Sequence, residues 1–191
     1  MSSTRFFMLL LLFGSYTLAA QQRYFTKSAS IVFDADGPLD DVEKIHAKST
    51  TASCVVDVAT GQMEWAVPIQ SFRFENSLME EHFNENYLES AKFPKATFKG
   101  TIQHPESVKW TTDGSYPVQV KGKLTIHGVT NDISTNGNIL IKGAQIQASA
   151  AMKVALEDFR IKIPSVVGFK IAKEASVQIQ ASLETLKSSN S

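Results

Sequence analysis

Pro117-Val118-Gln119-Val120-Lys121-Gly122-Lys123-Leu124-Thr125-Ile126-His127 decides the fold class. Val118, Val120, Leu124 and Ile126 fall on one face of an extended chain. Gln119, Lys121, Lys123, Thr125 and His127 fall on the other. Side chains alternate across a strand, so this segment has one dry face and one wet face. Gly122 interrupts the dry face and predicts a bend or a bulge there.

The same design recurs on the C-terminal side. Between Ala144 and Leu156, the apolar positions Ile146, Ala148, Ala150, Met152, Val154 and Leu156 alternate with Gln145, Gln147, Ser149 and Lys153. Between Ala175 and Thr185, Val177, Ile179, Ala181 and Leu183 alternate with Ser176, Gln178, Gln180, Ser182 and Glu184. Residues 29–34, 49–58 and 97–103 read as further strands, and Thr60-Gly61 joins 49–58 to Gln62–Ile69 as a hairpin. Asp113-Gly114 and Lys142-Gly143 mark turns. Asn136-Gly137 is a strong hairpin signal, yet it falls inside a strand-like run from Val129 to Ile141, where a bulge and a true turn both stay open.

One segment leaves the two-residue period. Met79, Phe83, Tyr87 and Ala91 recur every four residues, flanked by Leu78 and Leu88, with Glu80, Glu81, Asn84, Glu85 and Glu89 between them. That pattern predicts an amphipathic helix over about 77–91. Ser77, three residues before Glu80, fits a capping box, and Pro94 stops the helix. Many amphipathic strands, short turns and one short helix predict an all-β fold, a closed antiparallel barrel or a sandwich. A barrel of about eight strands has room for its own side chains or for one ligand. Ala148, Ala150 and Ala181 on the dry faces either leave space inside or accommodate bulky neighbours.

The first twenty residues read as an address. Arg5 precedes the apolar run Phe6–Phe13, and Thr17-Leu18-Ala19-Ala20 offers small residues for cleavage after Ala19 or Ala20. The run is short for a membrane span, which needs about 20 residues, and no Cys follows it for lipoprotein attachment. The expected division is therefore a signal peptide, 1–20, and one domain, 21–191. The whole chain holds 19 Lys and Arg against 19 Asp and Glu; losing Arg5 leaves a balance of −1. Such a balance argues against a nucleic-acid partner and against a polybasic membrane anchor. Cys54 is the one cysteine and sits in a strand-like stretch; it reads as a small buried apolar residue, with a reactive thiol as the alternative.

Catalytic and metal signals are weak. The chain has no nucleophile elbow, P-loop or dinucleotide fingerprint. His46, His82, His104 and His127 show no close ligand spacing, although His82 and His127 could converge in space. Asp34, Asp36, Asp40, Asp41 and Glu43 surround Gly37-Pro38 as an acidic loop without the regular spacing of a calcium site. No catalytic residue, cofactor or metal is expected, and the chain is expected not to be an enzyme.

Two stretches resemble the YceI-like family: Met79-Glu80-Glu81-His82-Phe83 through Phe93-Pro94-Lys95-Ala96-Thr97-Phe98, and Val120-Lys121-Gly122-Lys123-Leu124-Thr125-Ile126-His127-Gly128-Val129-Thr130. With the closing strand from Ala175, the resemblance spans nearly the whole mature chain. It implies a lipocalin-like antiparallel barrel, bacterial and exported to the periplasm or secreted, that holds a polyisoprenoid or a quinone-like isoprenoid tail in an apolar tunnel. Read only for structure, Gly128 permits a tight turn and His127 faces solvent. The family often carries Arg-Asp shortly before the helix histidine; Met79 and Glu80 stand there, which favours a neutral tail or a fatty acyl chain over a pyrophosphate head. The expected ligand-lining residues are Met79, Phe83, Val118, Val120, Leu124, Ile126, Ile146, Ala148, Ala150, Met152, Val177 and Ile179. A structural or interaction module remains the main alternative, its barrel filled by Phe72, Phe74, Phe83, Tyr87, Phe93 and Phe98. A homodimer stays open.

Overall fold

The computed structural model describes residues 22–37, 45–165 and 171–186. The expected signal peptide, and Asp40, Asp41 and Glu43 of the acidic loop, lie outside these residues. Nine strands are present among them: β1 Arg23–Asp36, β2 His46–Asp57, β3 Gln62–Pro68, β4 Arg73–Phe74, β5 Lys95–Gln103, β6 Gly114–Ile126, β7 Val129–Lys142, β8 Gln145–Ala155 and β9 Ile171–Thr185. Eight of them run in the order β1-β9-β8-β7-β6-β5-β3-β2, every pairing is antiparallel, and β1 pairs with β2 to close the ring. Two-residue β4 adds to the end of β2. Closure satisfies backbone groups that an open sheet would leave at its edges. Among the described residues, no helix is long and apolar enough to cross a membrane.

The alternation read from the sequence sets which faces turn inward. Ile146 and Val154 on β8, Ala181 and Leu183 on β9, and Val118, Val120 and Leu124 on β6 are all buried. Ile31, Ala47, Cys54 and Ile102 complete the wall from β1, β2 and β5. Full burial of one such aliphatic side chain contributes about 1.5–3 kcal/mol.

Asn136-Gly137 is neither a turn nor a bulge. Gln119 pairs with Asn136 and Val118 with Gly137 in unbroken register. A Cβ at Gly137 would sit 2.8 Å from the Ser149 carbonyl, so the glycine serves close packing of neighbouring strands. Gly122 likewise causes no register shift: it pairs with Gly100 on β5 and Ile133 on β7. The Phe98 ring lies against both glycines, since an added Cβ would come 2.7 Å from Cε1 at Gly100 and 2.7 Å from Cζ at Gly122. A large ring thus fills the space that two missing side chains leave inside the barrel.

The helical segment is shorter than its four-residue stripe predicts. It is α-helical over Ser77–His82 and π-helical over Phe83–Tyr87. Asn76, not Ser77, is the cap: its side-chain oxygen accepts from the Leu78 N–H at 2.8 Å and the Met79 N–H at 3.4 Å. Glu80 turns instead to Arg73 at 2.6 Å and to the Phe74 N–H at 3.2 Å. Glu89 adopts a left-handed conformation, φ +43°, which ends the helix before Ala91.

Asp57 fastens the β2–β3 hairpin. Burial draws its carboxyl upward, but hydrogen bonds from Thr60, Arg23 and Ala59 outweigh that effect and hold it below the ordinary carboxylate value. Cys54 is 1% exposed on the inner face of β2, and burial pushes its thiol up to about 12. The thiolate is the reactive species. Ellman's reagent at pH 8 should therefore leave the folded protein unmodified and should titrate one thiol after denaturation. Rapid stoichiometric reaction of the native protein would contradict this placement.

Candidate functional site: a half-hollow barrel

The barrel interior divides into two halves. At one end Tyr24, Val56, Ile102, Val118, Val120, Ile139, Ile141, Ile146 and Leu183 are buried in one cluster. Val108 and Trp110, after β5, join them, and Trp110 stacks on Tyr24 with ring centroids 5.4 Å apart. Toward the other end lies a cavity of about 260 Å³. Phe98 borders it and covers the paired glycines.

Among the twelve residues expected to line a ligand, Met79, Phe83, Leu124, Ile126, Ala148, Ala150, Met152, Val177 and Ile179 border this cavity. Val118, Val120 and Ile146 do not; they belong to the packed end. Alternation identifies which face of a strand is inward but carries no information on depth along the barrel, so the two halves look alike in sequence.

Aromatic side chains shape the upper wall. Phe33 stacks on Phe83 at 5.3 Å, and Phe72 and Phe74 approach Phe83 at 5.6 and 5.1 Å. Phe72, Phe74, Phe83, Tyr87 and Phe98 all line the cavity rather than fill it, while Phe93 packs edge-on against His127 at 4.8 Å. Phe33, Trp65 and Val67 also line it and were not anticipated. Their two-residue spacing in Ile31-Val32-Phe33 and Trp65-Ala66-Val67 was the available signal. Ile161 and Ile163 lie outside any strand and gave none. No charged side chain borders the cavity among the described residues, and Thr97 and Ser149 are its polar contributors besides Tyr87 and Trp65.

His127 does not face solvent. With Gly128 it forms the two-residue turn from β6 to β7, at φ +50° and +73°, respectively. Its side chain is 13% exposed; Nε2 lies 2.6 Å from Glu89 Oε2 and Nδ1 lies 3.3 Å from the Phe159 carbonyl oxygen. A Cβ on Gly128 would strike the Phe93 ring at 2.5 Å. The His-Gly pair thus ties the β6–β7 turn to the helix exit and to the turn after β8. Among the described residues, no three His, Cys, Asp or Glu side chains gather as a metal would require.

A closed eight-stranded antiparallel barrel, capped by a helix and hollow in its upper half, is the architecture of lipocalin-like proteins. The chain belongs to the YceI-like domain family, which it matches over residues 22–183. Among solved structures, a polyisoprenoid binding domain from Saccharophagus degradans, implicated in plant cell wall breakdown, has a TM-score of 0.74 at 14% identity, covering 87% of this chain and 99% of that one. BcnA of Burkholderia cenocepacia has a TM-score of 0.65 at 16% identity, over 83% and 96% of the two chains. A Campylobacter jejuni YCEI protein has 0.54 at 19%, over 74% and 86%. These likenesses establish the shared fold. No curated protein matches the chain.

Proposed function

We propose that this is a non-catalytic binding protein that seats an isoprenoid or a similar long apolar lipid in the upper half of its barrel. The observation that carries the reading is the cavity itself: about 260 Å³, lined by apolar side chains from the strands and the helix. Each methylene moved from water into such a lining contributes about 0.8 kcal/mol. About ten seated methylenes would supply about 8 kcal/mol before the costs of association are subtracted. A site of this kind needs few polar groups. The polyisoprenoid-binding description of the Saccharophagus degradans domain agrees with the ligand class. In this reading the first twenty residues direct export to the periplasm or beyond, with cleavage near Ala19 or Ala20.

A ligand-free structural or interaction module is the second reading, favoured by the other half of the barrel, whose buried residues Val118, Val120, Ile139, Ile141 and Ile146 do not border the cavity. Delipidated protein titrated with cis-parinaric acid separates the two. A saturable rise in fluorescence at one probe per chain is expected from a binding protein. No uptake at micromolar protein would favour the module.

A further inference from the structure

A groove beside the apolar cavity shares part of its wall. Leu156, Ile161, Ile163 and Ile171 line both spaces. Among the described residues, the other walls of the groove are Arg160, Lys162, Lys173 and Glu157, three cations against one carboxylate. The local backbone produces this arrangement. Arg160 takes a left-handed conformation, φ +55°, at the end of the turn Glu157–Phe159, and the Ile161 N–H returns to the Leu156 carbonyl at 3.1 Å. In Arg160-Ile161-Lys162-Ile163, Ile161 is buried and lines the cavity, while the two cations are exposed in the groove. The Leu156 N–H donates to the Lys173 carbonyl at 3.0 Å, which sets Lys173 beside the same apolar step.

None of these three cations forms an ion pair among the described residues; Lys153, by contrast, pairs with Glu174 at 3.6 Å. An excess of positive charge beside low-dielectric walls focuses its field on an entering anion. We propose that the groove binds the anionic head group, a carboxylate or a phosphate monoester, of a single-chain amphiphile whose tail fills the cavity. This rests on the cavity being an apolar-chain site.

The test is calorimetric titration of delipidated protein at low ionic strength with laurate, dodecyl phosphate and dodecan-1-ol below their aggregation concentrations, and with inorganic phosphate. Both anionic chains should bind at least about tenfold more tightly than the alcohol, and phosphate alone should give no measurable binding. The triple variant Arg160→Gln, Lys162→Gln, Lys173→Gln should bring the anions down to the alcohol's affinity and leave the alcohol unchanged. Glu157→Gln, a single surface change, should strengthen anion binding. Equal affinity for all three chains in the wild type would overturn the head-group site. So would a preference that survives the triple variant, anion binding unmoved or weakened by Glu157→Gln, or phosphate binding as well without a tail. Failure of every chain to bind would instead overturn the underlying reading of the cavity.

Discussion

Valine in place of Gly122 should destabilise the barrel by about 3 kcal/mol or more, at the top of the range for overpacking a core. The added Cβ would strike the Lys99 carbonyl oxygen and come 2.5 Å from the Gly100 Cα and 2.7 Å from the Phe98 Cζ. The first two neighbours are backbone in a paired strand and cannot swing aside; the third is a ring already packed over both glycines. Chemical denaturation should report the loss as a lower midpoint. Phe98→Ala should cost less in the Gly122→Val background than in the wild type, because the ring is one of the three neighbours that the new side chain would strike, and a double-mutant cycle measures that coupling. A Gly122→Val protein within about 0.5 kcal/mol of wild type, the usual range of an innocuous surface change, would mean that the ring does not rest on the glycine pair.

Phenylalanine at position 150 should act oppositely on binding and on folding. Ala150 borders the cavity and lies opposite Gly137 on β7 and Ile179 on β9. A phenyl ring there enters empty space and excludes about four methylenes of a bound chain, a loss of about 3 kcal/mol or about two orders of magnitude in Kd. Folding stability should hold, since the ring meets a void rather than packed neighbours. Val55→Phe is the control: Val55 is 39% exposed, so the same ring placed there should leave binding unchanged. An Ala150→Phe protein that binds cis-parinaric acid as the wild type does would remove the ligand from this cavity.

What was legible in the sequence follows from what each pattern encodes. The two-residue alternation in residues 117–127, 144–156 and 175–185 states which side chains turn inward, and all three segments form strands with those faces inside. Depth along the barrel is set by strand stagger, which no single strand records. Val118, Val120 and Ile146 were therefore indistinguishable from Leu124, Ile126 and Ala148, although they pack at the solid end. Asn136-Gly137 carries a turn signal because those residues tolerate left-handed backbone; here Gly137 answers the nearby Ser149 carbonyl across the sheet, a neighbour distant in sequence. His127 shows the same limit. Its turn is local and readable, whereas Glu89 and the Phe159 carbonyl reach it from separate segments, 38 and 32 residues away.

The cavity's aromatic wall was only partly visible for a related reason. The four-residue spacing of Met79, Phe83 and Tyr87 identifies the inward stripe of the helix, but the rings that meet Phe83 come from β1, from β4 and from Phe72 just before β4. The basic groove had no periodic signature, because Arg160, Lys162 and Lys173 come together through a left-handed turn and the pairing of Leu156 with Lys173.

Native mass spectrometry of the protein isolated from its own cells, followed by organic extraction of the same sample, tests the account most directly. The account predicts one bound molecule per chain, released by solvent and carrying a long prenyl or acyl tail. A protein that runs at its bare polypeptide mass and yields no lipid on extraction would contradict it.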